Sequence, residues 1–116
     1  YRDGHPPVCE ATVKLEIEGH REYTAAEGHG VVNALDKALR KAVRPYHPEI
    51  DAVELVDYKV RIIEGEVATA AKTRVLIGHS DGQHIWGTVG VSDSIIEASW
   101  IALTDGMDLF LQRKRA

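Results

Sequence analysis

The chain has 116 residues, is 44% hydrophobic and carries a formal net charge of −4 with both signs interspersed. That length supports one domain burying roughly 60 to 70% of its unfolded surface around one core, and that charge excludes the basic stripe a nucleic-acid backbone demands. Cys9 is the only cysteine, so no internal disulfide can form and a reducing, cytoplasmic setting is expected; no apolar run approaches the roughly 18 residues of a membrane span, so no membrane partner is expected.

Ala11, Val13, Leu15 and Ile17 alternate with Thr12, Lys14, Glu16 and Glu18, the period of a strand with one wet face. Gly19 and His20 turn it back, and Arg21 to Ala26 forms the returning strand of a hairpin. Val31, Val32, Leu35, Ala38, Leu39 and Ala42 then recur at helical spacing until Pro45 and Pro48 stop the helix. Val53 to Ile63 reads as a strand whose buried face is Val56, Tyr58, Val60 and Ile62. Thr69 to Ile77 follows, the Ser80-Asp81-Gly82 turn reverses it, and Ile85 to Val91 returns. A long amphipathic helix from Ile95 closes the order ββα then βββα, an α+β fold with sheets packed on two helices.

The halves read as one unit written twice. His20 and His84, Thr24 and Thr88, Ala34 and Ala98, Ala38 and Ala102, and Leu39 and Leu103 all pair at a constant separation of 64 residues. A duplicated hairpin-helix unit produces that offset, and each unit alone leaves an apolar sheet face to bury. Two units packing with pseudo-twofold symmetry would close the core. Tyr1 stands first in place of Met, which gives the expectation of a piece of a longer soluble protein.

The candidate chemistry lies at the start of the first helix. Ser94 with Glu97 three residues on is a capping box for the second helix, and Asp93 adds charge favoured by the dipole. At the matching place the first helix has Gly28, His29 and Gly30. The glycines would allow positive φ and close approach of a ligand, leaving free amides at a positive helix end, the outline of a small-anion site. The rival reading is that Gly30 caps the helix and water satisfies the amides. Asn33 stands where G-x-G-x-x-G needs its third glycine, which argues against a dinucleotide site.

Six histidines form no H-x-H or H-x-x-x-H pair, and His79 and His84 read as solvated turn residues, so no metal site is assigned. No serine stands in a G-x-S-x-G setting, Asp57 reads as ion-paired with Lys59, and no catalytic residue is assigned. Tyr58 could wall a pocket at the helix start, while Trp86 and Trp100 read as core or interface.

The runs TAAEGHGVVNALDKALRKA, LVDYKVRI, TAAKTRVLI and WGTVGVSDSIIEASWIALTD together resemble the C-terminal regulatory domain of the isopropylmalate synthase and citramalate synthase family. DYKVRI and GVSDSIIEASW, with a last helix ending in LTDGMDLFL, are most similar to the citramalate branch. The resemblance implies a parent whose own catalytic TIM barrel condenses acetyl-CoA with a 2-oxo acid (pyruvate in the citramalate branch) on a divalent metal. This domain would need no cofactor, would form a homodimer, and would bind a branched-chain amino acid, isoleucine by preference, for feedback inhibition. Carried over, the carboxylate site is Gly28, His29 and Gly30 with Val32 and Asn33, and the apolar wall is Leu55, Tyr58 and Ile62 with Ala71. The family commonly has Asn or Asp where His29 stands and often Pro where Val31 stands; a histidine there would make effector binding depend on pH near neutrality. Rival readings are a leucine sensor from an isopropylmalate synthase and a dimerisation module without an effector.

Overall fold

Period-two alternation at the start of the chain does form a hairpin in the computed structural model, which describes residues 9–63 and 72–115. Strand β1 (Cys9–Ile17) pairs antiparallel with β2 (His20–Gly28), Val13 lying opposite Thr24. The turn is Glu18 and Gly19, with φ of 51° and 82°. A two-residue turn with both φ positive matches the right-handed twist of the strands, so His20, expected in the turn, already pairs with Ile17. β2 also runs two residues past the expected Ala26, which makes Gly28 its last residue.

Helix α1 (Val31–Val43) covers one face of this hairpin. Its i, i+3, i+4 stripe of Val32, Leu35, Ala38, Leu39 and Ala42 is buried together with Val13 of β1. Thr24 Oγ1 donates to Ala38 O at 2.7 Å, tying strand to helix. Asp36 is buried beside Arg40, whose Nε donates to its Oδ2 at 2.9 Å; burial pushes the carboxyl pKa up, and the guanidinium pulls it back only in part. After the helix, Tyr46 stacks on His20 at 5.8 Å and donates to a Glu22 carboxylate oxygen.

The chain divides into two compact units, 1–49 and 50–116. In the second, β3 (Glu54–Ile63), β4 (Lys72–Ser80) and β5 (Ile85–Ser92) form an antiparallel sheet in that order, and α2 (Ile95–Arg115) packs on β4 and β5. Residues 69–71 of the expected fourth strand lie outside the described residues. The core gathers Val75, Ile77, Ala98, Ala102, Leu103, Met107 and Phe110, with Ile50 from a 3₁₀ turn over Pro48–Ala52.

Two expectations change here. Tyr58, Val60 and Ile62 do share a face with Ile77, Val75 and Thr73, which they oppose across the ladder. Yet α2 lies over β4 and β5, so these side chains are 41%, 41% and 67% exposed; Val56 is displaced by a bulge between Leu55 and Asp57 and is exposed too. The alternation was right about the face and wrong about its cover. His79, expected to be a solvated turn residue, is fully buried: its Nε2 lies 2.9 Å from Thr88 Oγ1, which in turn donates to Ala102 O at 2.7 Å. Gly106 makes the room, because a Cβ there would stand 2.1 Å from the His79 ring. Trp86, expected in the core or at an interface, is half-buried: it lies between His79 and Phe110 in a stacked run and donates its Nε1–H to Gly106 O at 3.2 Å.

The duplication extends to individual bonds. Shifted by 64 residues, the β1–β2 register becomes the β4–β5 register, with Ile77 opposite Thr88. The Thr24 to Ala38 bond becomes Thr88 to Ala102, at 2.7 Å in both units. The Glu22–Tyr46 hydrogen-bonded pair becomes the Trp86–Phe110 stack: the contact persists while its chemistry is exchanged.

Candidate functional site

The two helix starts occupy equivalent places in the repeat and are finished differently. Ser94, before α2, accepts the Glu97 N–H on its Oγ at 3.4 Å; its own N–H goes to Ser92 Oγ at 3.2 Å, so the expected capping box is half made, with Ser92 supplying the other half. Gly30 is the N-cap of α1 and offers no side-chain hydrogen bond, and the first turn of α1 holds no acidic residue. The first intrahelical bond runs from Ala34 N to Gly30 O at 2.9 Å. The amides of Val31, Val32 and Asn33 therefore precede the ladder, at the end where the helix dipole is positive.

The glycines act otherwise than expected. Neither Gly28 nor Gly30 has positive φ; among the described residues the glycines that do are Gly19 and Gly82. Gly30 is extended, with φ −162° and ψ 175°, and a Cβ there would meet nothing within 4 Å. Gly28 is required by space alone, since its Cβ would lie 2.5 Å from Asn33 Oδ1 and 2.6 Å from Ala34 N. This lets the end of β2 press against the first turn of α1. Asn33 fixes the loop from the other side by accepting the His29 N–H on Oδ1 at 3.2 Å. That bond explains an asparagine at the third helical position, a role hidden in the sequence because the side chain reaches back four residues.

Gly28, His29, Gly30, Val32 and Asn33 thus form one local constellation. The His29 side chain is exposed, Val32 points into the core, and Val31 beside it is partly exposed. A compact oxyanion over Gly30 would find amides of the first turn and the positive pole of a 13-residue helix. Leu55, Tyr58 and Ile62 lie on β3 in the second unit, Leu55 half-buried and the other two exposed. Ala71 lies outside the described residues. Among the described residues no group of three or more His, Cys, Asp or Glu side chains could hold a metal ion, and no helix is long and apolar enough to cross a membrane.

Comparison with known proteins gives the family of the chain, not a role for these residues. The model of the LeuA allosteric (dimerisation) domain matches residues 3–111. The chain is 54% identical over 106 residues to an (R)-citramalate synthase of Aquifex aeolicus, covering 91% of this chain and 20% of that protein. It is 53% identical over 104 residues to the (R)-citramalate synthase of Streptomyces coelicolor, covering 90% and 20%. A 2-isopropylmalate synthase of Aquifex aeolicus is 32% identical over 115 residues, covering 97% and 20%. The chain spans about a fifth of the length of these curated relatives. With a matching family model along nearly its whole length, the chain belongs to the LeuA allosteric (dimerisation) domain family.

Proposed function

We propose that this chain is the sensing and self-associating part of a citramalate synthase, binding isoleucine and inhibiting by feedback a catalytic barrel that condenses acetyl-CoA with pyruvate on a divalent metal. The observation that carries the reading is the contrast between the two helix starts: Ser94 fills the cap of α2, whereas the equivalent Gly30 leaves the first amides of α1 open. An amino-acid carboxylate is the anion those amides suit. The relatives with the higher identities carry the citramalate synthase name, which favours isoleucine over leucine as the end product sensed.

The aliphatic side chain of the effector needs apolar surface, and the resemblance assigns that part to Leu55, Tyr58 and Ile62 on β3, with Ala71. Burying a branched aliphatic side chain contributes about 1.5 to 3 kcal/mol. Inhibition follows if the effector binds the inactive arrangement of the parent better than the active one, by roughly 1 to 3 kcal/mol in typical allosteric proteins.

The two parts of the proposal are tested separately. On addition of isoleucine, the backbone amide NMR signals of Val31, Val32 and Asn33 should shift and saturate; signals that stay in place at saturating isoleucine would remove the carboxylate site. Tyr58→Ala should weaken binding at least tenfold, about 1.4 kcal/mol, and leave self-association unchanged. Loss of self-association with unchanged isoleucine affinity would make Tyr58 an interface residue and not a pocket wall.

A further inference from the structure

Each sheet of this protein contains one pair of like charges directly opposed across neighbouring strands. In the first unit it is Glu10 opposite Glu27, and in the second Arg61 opposite Arg74. Like charges placed so destabilise a sheet. All four side chains are exposed, and among the described residues none of them makes an ion pair. Both pairs point away from the covering helix: Glu10 is three residues from buried Val13 on β1, and Arg74 is next to buried Val75 on β4. Arg74 is moreover the repeat equivalent of Glu10, 64 residues on, so duplicate positions carry opposite charges.

The surroundings of the pairs match as well. Beside Arg61 and Arg74 the outer face of the second sheet carries half-buried Leu76 and exposed Val89 and Val91, and a depression of about 450 Å³ is lined by Lys59, Arg61, Arg74 and Leu76. The hairpin's outer face presents Thr12, Ala25 and a well exposed Tyr23, whose ring centroid lies 5.3 Å under Lys14 Nζ. Farther along, Glu16 faces Arg21 across the ladder and their charges offset, which leaves Glu10 and Glu27 as the uncompensated pair of acidic residues. An apolar patch with a charged rim is the make-up of a protein interface, and guanidinium forks suit carboxylates in two-pronged contacts.

We infer that the outer face of the second sheet docks the outer face of the hairpin of another copy of this chain, Arg61 and Arg74 meeting the partner's Glu10 and Glu27. The inference rests on the self-association in the proposed function and names the surfaces that meet. The charges fix register and speed encounter, while the apolar centre supplies the adhesion.

The test is sedimentation velocity on the 116-residue chain and three variants, at low salt and at about 1 M salt, where the screening length is about 3 Å. Arg61→Glu with Arg74→Glu, and separately Glu10→Arg with Glu27→Arg, should each raise the dissociation constant about tenfold or more at low salt. The four-fold exchange should restore it towards the original value. The glutamate reversal brings the formal net charge from −4 to zero, so general repulsion alone would strengthen association; weakening identifies the specific pairing. Association untouched by either reversal, or a four-fold variant no better than the double ones, overturns the pairing while leaving self-association standing. A chain that stays monomeric throughout overturns both, and isoleucine binding by the monomer would keep the sensing part apart from that failure.

Discussion

Gly28 and Gly30 stand two residues apart and answer to different constraints. A methyl at Gly28 collides with Asn33 Oδ1 and the Ala34 backbone, so Gly28→Ala should lower stability by about 1 to 3 kcal/mol in chemical denaturation. Gly30→Ser meets open space and an extended backbone. A serine cap there should leave the fold intact, raise stability by only about a few tenths of a kcal/mol, and weaken isoleucine binding because its hydroxyl competes for the same amides. Unchanged affinity in the folded Gly30→Ser chain would mean that the carboxylate sits elsewhere. The sequence made the uncapped helix legible because a missing Ser, Thr or Asp is visible in one dimension. It mistook the glycines' role, because positive φ and close packing both select glycine and only coordinates separate them.

At the scale of elements, hairpins, helices and the duplication were legible, since periods of 2 and 3.6 and a fixed offset survive in a string of letters. Cover was not. The alternation of Tyr58, Val60 and Ile62 marked one face of β3, yet whether a helix lies over it depends on where α2 runs. His79 was misplaced for a related reason: its burial depends on Gly106, 27 residues away on another element. The shared Thr bond gives a graded prediction. Thr88→Val removes a bond to Ala102 O and deprives buried His79 of a partner, and should cost about 1 to 3 kcal/mol. Thr24→Val removes the half-buried counterpart alone and should cost less; equal losses in urea denaturation would contradict the reading.

The β4–β5 turn carries a pH prediction. Asp81 accepts the N–H groups of His84 at 2.7 Å and Gln83 at 2.9 Å, and these bonds hold its carboxyl pKa below the usual 3.8. A lowered folded pKa contributes stability that is present above the unfolded value and is lost as pH falls through the folded one. The stability difference between the chain and Asp81→Asn should therefore hold near neutrality and shrink as pH drops below about 4. A difference that grows on acidification would contradict the assignment.

For the molecule as a whole, the family is that of an allosteric and dimerisation domain, and the unfinished start of α1 is what supports the proposed amino-acid site. The first unit carries the uncapped start of α1, and the second carries the exposed apolar residues Tyr58, Val60 and Ile62 of β3. Leucine and isoleucine differ by the position of one methyl group, worth about 1 to 3 kcal/mol of discrimination in an apolar pocket. The sequence leaves that choice open because the pocket's shape decides it. The most direct measurement is thermal melting of this chain alone and with isoleucine, leucine or valine at matched concentrations. A ligand at about 100 times its dissociation constant adds about 2.7 kcal/mol to the folded state. A rise in Tm with isoleucine, larger than with leucine or valine, is the predicted result; the same Tm in all four samples would contradict the account.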